Sequence, residues 1–238
     1  MSPASNWTRN RLLLALPSRS LARLALDLEP IRLQREQVLI EADSSLDHVY
    51  FPDSGVVSVL AVYADGSAIE MATIGREGCT GVQAVFGVKT SSIRLYVQIP
   101  GSAAKMSRAA FARAMRSMPA FRALMFGYLQ AFLEQVLVSV ACNGAHNVKQ
   151  RLARWLLTMR DRSDADVLPV TQSLLAEMLG VQRPTITNVA RELESAGLVA
   201  RGRRQITIRN RPRLIKASCE CYQLVRDRTA THLPKTYA

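Results

Sequence analysis

The sequence predicts an α+β chain: a β-roll of the jelly-roll or double-stranded β-helix kind, one long helix, and a small helical module carrying a β-hairpin. Three observations predict it. Short runs rich in β-branched and aromatic residues, separated by turn residues, fill the first part of the chain. From Ser107 onward the apolar period changes from that of a strand to that of a helix. Basic charge then collects towards the C-terminal end. With 238 residues there is room for one large domain or two modest ones. Hydrophobic residues make up 48% and charged residues 21%, the balance of an ordered globular chain rather than a disordered one. Four cysteines are too few for a disulfide scaffold. Their positions, Cys79, Cys142, Cys219 and Cys221, contain no CxxC pair and no Cys/His zinc spacing.

A helix over about Leu12 to Leu26 is expected to pack on the roll. The strand runs are Val38–Glu41, Asp47–Phe51, Val56–Val62, Ala68–Ile74 and Ile93–Ile99. Pro52-Asp53-Ser54-Gly55 and Ala64-Asp65-Gly66-Ser67 read as turns between them. In the last run Ile93, Leu95, Val97 and Ile99 alternate with Ser92, Arg94, Tyr96 and Gln98, which gives one buried and one wetter face. Many short strands at this spacing suggest a closed or double-layered β structure.

Ser107 can cap a short helix containing Phe111 and Met115, which Pro119 ends. A long helix follows over about Ala120 to Ala145. One face carries Phe121, Leu124, Tyr128, Phe132 and Val136; the other carries Met125, Leu129, Leu133, Leu137 and Val140. One roll cannot cover both, so a symmetric homodimer is expected, with Phe121, Leu124, Met125, Tyr128, Phe132 and Val136 on the dimer helix. The stretch from Ala123 to Ala141 approaches membrane-spanning length, but Gln130, Glu134 and Gln135 interrupt it, and a central acid costs about 2.5–3.5 kcal/mol on insertion. No membrane association is expected. The run Leu12 to Leu16 stops at Pro17, too short for a signal segment, so a cytoplasmic protein is expected. A further helix, Val148 to Met159, and a polar connection over 161–166 complete the middle of the chain.

Residues 171 to 208 carry the most specific pattern. Thr171 can cap a helix over Gln172 to Leu179, whose apolar face holds Leu174, Leu175, Met178 and Leu179. Gly180 permits the left-handed turn that ends it. A second helix, Arg183 to Ala196, turns Ile186, Val189, Ala190 and Leu193 inward. Pro184 lies in its first turn, where no backbone N–H is missed. Ala176 is small where the two helices must cross. This is the arithmetic of a helix-turn-helix. Leu198–Ala200 and Gln205–Arg209 flank the basic turn Arg201-Gly202-Arg203-Arg204 and make a two-stranded wing, so the module is a winged helix-turn-helix.

Charge supports a polyanionic partner. The formal net charge is +12. Residues 151–238 hold 16 basic and 8 acidic side chains, net +8, against 15 and 11, net +4, in residues 1–150. Arg201, Arg203, Arg204, Arg209, Arg211 and Arg213 lie in a stretch without an acid. The outward residues of the second helix are Arg183, Thr187, Asn188 and Arg191. Arg suits guanine O6 and N7, Asn suits adenine N6 and N7, and Thr suits a base edge or a thymine methyl. Double-stranded DNA is the expected partner.

The order of parts, and above all "TQSLLAEMLGVQRPTITNVARELESAGLVARGRRQITI" from Thr171 to Ile208, resembles the cAMP receptor protein/FNR (Crp/Fnr) family of bacterial transcription regulators. The resemblance covers nearly the whole chain. It implies a cyclic-nucleotide-binding-like roll over 1–118, a dimerisation helix over 119–147 and a winged helix-turn-helix DNA-binding domain over 148–238. It implies a homodimeric, non-enzymatic regulator that reads an inverted repeat and contacts RNA polymerase. Arg183 matches the family's guanine-reading Arg, with Thr187 and Asn188 as further base readers. Thr171, Gln172 and Thr185 match phosphate-contacting positions, and Arg203 and Arg204 of the wing join them. Pro184 and Asn188 depart from the cAMP receptor protein's base-reading Glu and second Arg, which implies a different operator.

The effector half departs further. The family's nucleotide binders carry Gly-Glu-Leu for the ribose and an Arg before Ser or Thr for the phosphate. Here "GREGCTGVQAVFGVKTSSIRLYV" keeps Gly75 and Gly78, displaces Glu77 and has no Arg between Arg76 and Arg94. Glu77, Thr80, Lys89, Ser91, Ser92 and Arg94 are the candidate pocket residues, and an effector other than cAMP or cGMP is expected. No cysteine precedes Cys79, against the family's N-terminal iron–sulfur cluster. His48, His146 and His232 are scattered, and Cys219 and Cys221 form a lone CxC. No metal, haem, iron–sulfur cluster or other cofactor is therefore expected. A cupin-like enzyme would need clustered strand ligands, and a hydrolase would need a motif such as GxSxG; neither is present.

Overall fold

The computed structural model describes residues 7–233; the outermost ends of the first and last expected domains, 1–6 and 234–238, lie outside it. Two short helices open the chain, α1 (Arg11–Leu14) and α2 (Ser18–Ala25), where one had been expected. Pro17 separates them, because it has no N–H to continue a helix and disfavours helical geometry before it. Asn10 caps α1 through Leu13 N and donates its amide to Pro52 O and Gly78 O, fastening the chain start to the roll.

The roll contains β1 (Glu29–Leu33), β2 (Val38–Ile40), β3 (Ser44–Ser45), β4 (His48–Val62), β5 (Ala68–Ile74), β6 (Thr90–Ser91) and β7 (Arg94–Ser107). All pairings are antiparallel. The main sheet runs β1-β7-β4-β5, with β2 also on β7, and β3 pairs β6. Two expectations change here. β1, with Pro30 and two charges, lacks the strand signature and was not foreseen. Pro52-Asp53-Ser54-Gly55 is not a turn: β4 runs through it for 15 residues. The pairing with β7 slips at Pro52/Ser54 and Ser54/Val56, so the turn residues make bulges that bend one long strand around the roll. Gly55 has φ +81°, and a Cβ on Gly101 would lie 2.3 Å from Ser54 O, so both glycines are required at this bend.

Inside the roll Leu33, Phe51, Leu95 and Met106 are buried against α3 (Arg108–Ser117) and α4 (Pro119–Ala145). Ser107 caps α3 through Ala110 N, as expected. Phe111 and Phe121 meet edge to face at 5.4 Å, a contact whose truncation costs about 3–5 kcal/mol.

The second core lies beneath α5 (Val148–Ser163), β8 (Val167–Leu168), α6 (Gln172–Leu179), α7 (Arg183–Ser195), β9 (Val199–Gly202), β10 (Gln205–Ile208), α8 (Arg211–Ala217) and α9 (Cys221–His232). β8, β10 and β9 form the wing sheet. α5 begins in a capping box of Asn147 and Gln150 and continues to Ser163, so only part of the expected connection is irregular. Leu156, Leu175, Ile186 and Leu193 are fully buried between its helices.

Among the described residues one helix, α4, is long and apolar enough to cross a membrane by length and composition. It packs on β5 and α9 instead. Its Gln135 is buried and donates to Thr73 O at 3.1 Å, a polar contact a lipid-facing position does not supply.

Candidate nucleic-acid interface and the segment of the roll facing it

Each helix of the helix-turn-helix pair starts where its sequence dictates. Thr171 Oγ1 accepts from Leu174 N at 3.2 Å, which leaves the hydroxyl proton for an outside acceptor. Gly180, at φ +60°, ends α6, and Arg151 of α5 donates to Leu179 O there. α7 begins without a side-chain cap and with Pro184 in its first turn; Thr185 N and Ile186 N donate to Gln182 O, which closes the first turn on the backbone alone.

Arg183, Asn188 and Arg191 are exposed, and the guanidinium groups of Arg183 and Arg191 have no partner among the described residues. Thr185 is half-buried at the start of the helix. Thr187 is only half-exposed: its Oγ1 lies 2.8 Å from Gln172 Oε1 and 3.1 Å from Arg183 O. Thr187 therefore holds the Gln172 carboxamide through its oxygen, which leaves the amide N–H groups of Gln172 uncommitted to Thr187. In the wing, Arg204 takes φ +60° at the turn, and both Arg203 and Arg204 are exposed and unpaired. Arg201 is spent differently: Glu194 receives its N–H and guanidinium at 2.6–2.8 Å, tying the wing to α7. One groove is lined by Thr171, Gln172, Ser173, Arg183, Arg204 and Gln205. The fold thus joins residues from the start of both helices with the wing.

The candidate effector residues are not brought together in the same way. Glu77 is buried and receives Arg162 Nε of α5 at 2.6 Å and Gly75 N at 3.2 Å. The same guanidinium reaches Thr73 Oγ1 and, at 2.6 Å, Gln135 Oε1. A Cβ on Gly75 would lie 2.7 Å from the Arg162 side chain, so the glycine makes room for this insertion. Thr80 is fully buried and exchanges hydrogen bonds with the Tyr50 backbone. Ser91 bonds Ile93 O, Arg94 pairs with Glu41 at 2.7 Å, and Lys89 and Ser92 are exposed. Tyr128 of α4 closes the segment: its hydroxyl donates to Cys79 O at 2.8 Å, and a Cβ on Gly78 would lie 2.5 Å from it. Burial holds this phenol protonated, well above its ordinary range.

Of the candidate effector residues, Glu77 alone lines the cleft of about 430 Å³ between the roll, α4, α5 and α9. Glu70 also lines it. Its carboxylate accepts from Ser58 Oγ at 2.6 Å and Trp155 Nε1 at 2.7 Å, and burial raises its pKa to about 7 against these two bonds.

α4 divides more sharply than its sequence suggests. Phe121, Met125 and Tyr128 face the core that the roll shares with α4, and Leu124, Phe132 and Val136 pack partly on it. Phe126, Gln130, Leu133, Leu137 and Val140 are exposed. Their alternating steps of three and four are those of a coiled-coil seam.

Residues 30–118 match the cyclic nucleotide-binding domain family, and residues 150–217 match the Crp-like helix-turn-helix domain family. The chain belongs to the Crp/Fnr family of DNA-binding transcription regulators, which are not enzymes. Solved structures share the fold at low identity. FixK2 from Bradyrhizobium japonicum superposes with a TM-score of 0.69 at 18% identity, over 81% of this chain and 98% of that one. The c-di-GMP-responsive global regulator CLP of Xanthomonas campestris gives 0.68 at 16%, over 82% and 100%. TTHA1359 of Thermus thermophilus gives 0.67 at 20%, over 80% and 98%. No curated protein matches the chain in sequence.

Proposed function

We propose that this regulator is a cytoplasmic homodimer that reads an inverted-repeat operator through α7 and recruits or blocks RNA polymerase there. Arg183 and Asn188 read bases, with the Thr187 methyl beside them. Thr171, Gln172, Thr185, Arg203 and Arg204 hold phosphates. The observation that carries this reading is the set of unpaired cations on one groove, at the N-terminus of α7 and on the wing turn. Buried or paired arginines would not release counterions on binding; these do. Residues 1–118 act as the sensing unit, 119–147 as the dimer helix and 148–238 as the DNA-binding unit. The exposed seam on α4 supports the dimer, with the contact face carried by Phe126, Leu133, Leu137 and Val140 rather than by Phe121, Met125 and Tyr128.

The effector is not cAMP or cGMP. A cyclic phosphate withdrawn from water needs a fixed cation and several donors. Arg162, entering from α5, is held by Glu77 of the roll, Arg94 is held by Glu41, and Tyr128 of α4 fills the space against Gly78.

Selection of bound duplexes from a random pool tests the proposal. The enriched sequence should be an inverted repeat with half-site centres about 10–10.5 bp apart. Sedimentation without DNA should give twice 26.3 kDa. A monomer, or binding without sequence preference, would refute it.

A further inference from the structure

We infer that Cys142, His146, Cys219 and Cys221 form a mononuclear zinc site that clamps the C-terminal helices to the end of α4. The four residues come from two places. Cys142 lies in the last turn of α4, and His146 follows four residues later at its C-cap, on the same side of the helix. Cys219 and Cys221 flank Glu220 at the junction of α8 and α9. Their ligand atoms all lie within 4.8 Å of one another. Cys142 Sγ is 3.5 Å from Cys219 Sγ, and Cys221 Sγ is 3.6 Å from His146 Nδ1. In tetrahedral zinc coordination, bond lengths of about 2.3 Å to sulfur and 2.0–2.1 Å to nitrogen put neighbouring ligands roughly 3.5–3.8 Å apart. The two separations fit that geometry around one ion. A polynuclear iron–sulfur cluster would spread its ligands over several ions and further apart.

The surroundings fit as well. While Nδ1 of His146 faces the sulfurs, its Nε2 is directed to the side of Glu220, whose Oε1 lies 3.8 Å away, beyond direct hydrogen-bond distance. The cysteines are buried with Val138 and the side of Val225, an apolar shell around the donor set. Cys221 opens the twelve-residue helix α9. A closed set of three thiolates and one imidazole leaves no open position, so the ion braces rather than catalyses. The clamp spans the break at His146 between α4 and α5, and so fixes how the DNA-reading module is carried by the dimer helix.

The test is metal analysis of full-length protein purified under reducing conditions in zinc-containing buffer. The expected result is one zinc per chain, resistant to dialysis. Cobalt should replace it with the ligand-field and thiolate charge-transfer bands of a tetrahedral site. Cys221→Ser and His146→Ala should each lower zinc retention at least about tenfold, in keeping with loss of a direct ligand, whereas Cys79→Ala should keep it. Should a ligand variant fail to fold, the wild-type protein decides alone. Zinc removal with a thiol reagent and a chelator should lower its melting temperature, and zinc should restore it after the thiols are regenerated. Four freely titrating thiols in zinc-equilibrated protein, a Cys142–Cys219 disulfide, or iron in place of zinc would each overturn the assignment.

Discussion

Two regions of this chain handle arginine in opposite ways: the groove formed by α7 and the wing, and the segment of the roll around Glu77 and Arg94. In the winged module Arg183, Arg191, Arg203 and Arg204 point into solvent without partners, and the only wing arginine that is paired, Arg201, is paired to hold the wing in place. In the roll, Arg94 is bound to Glu41, and Arg162 enters from α5 to bind Glu77, Thr73 and Gln135. The groove at α7 and the wing leaves its cations exposed, whereas the guanidinium groups nearest the candidate effector residues, Arg94 and Arg162, are held by carboxylates of the roll. Family membership alone does not show this, because both halves match their family domains. What separates them is whether each polar group already has a partner.

The sharpest way to break the comparison is to remove Arg162. Arg162→Met should leave Glu77 buried without its cation and destabilise the protein by about 3–5 kcal/mol in urea unfolding. A Glu77→Gln change added to it should recover part of the loss. A stable Arg162→Met protein that instead lost its response to a cellular signal would show the pair to be an effector site.

On the other half, Arg183→Ala should cost roughly 1–3 kcal/mol in operator affinity and relax preference at one base pair per half-site. Arg204→Ala should weaken every duplex alike and reduce the salt slope by about one. Fluorescence anisotropy across a salt series separates the two. Equal loss of specificity from both would mean that α7 is not the reader.

A third test concerns Glu70, on the boundary between the halves. Its pKa rises from 4.5 to about 7 in the folded state, with burial as the cause. The folded protein therefore binds the proton more tightly than the unfolded chain. The associated stability is complete below pH 4.5, falls as pH rises towards 7, and is lost above it. Glu70→Gln keeps an acceptor for Trp155 and a donor for Ser58. It should be more stable than the parent at pH 8 by about 1–2 kcal/mol and should flatten the decline between these pH values. Matching pH profiles for the two proteins would contradict this.

The smallest expected effect is none: calorimetric titration with cAMP or cGMP should release no binding heat. Micromolar binding that also tightened operator affinity would remove the contrast, and Arg94→Ala would show whether that residue supplies the charge.

Much of the winged module is legible in the sequence because its signals are local. Thr171, Gly180, Pro184 and the Ile206/Ile208 alternation each sit within a few residues of the structure they determine. The roll is less legible. Pro52 to Gly55 carries the chemistry of a turn, yet β7 supplies partners on either side and turns it into a bulged strand, a long-range decision. β1 hides behind Pro30, and its pairing to residues 101–105 has no local trace. α4 looked evenly apolar, and only packing distinguishes Met125 from Leu133. The Cys and His residues of the α4–α9 junction are least legible of all, because 77 positions separate Cys142 from Cys219.

Arg162 also bears on how such a chain can be divided. A cut between α4 and α5 sends the guanidinium to one fragment and Glu77 to the other. The fragment with Arg162 merely exposes a cation to water, which is inexpensive. The fragment with Glu77 keeps a carboxylate in an interior that has lost its counter-charge. On this contact the DNA-reading piece loses less, but the same cut parts Cys219 and Cys221 from Cys142 and His146 and bares the apolar surface that the module shares with Val56, Leu60 and Ile99 of the roll. The roll can be exchanged only together with the arginine that neutralises it, so the inheritable unit is larger than the roll itself.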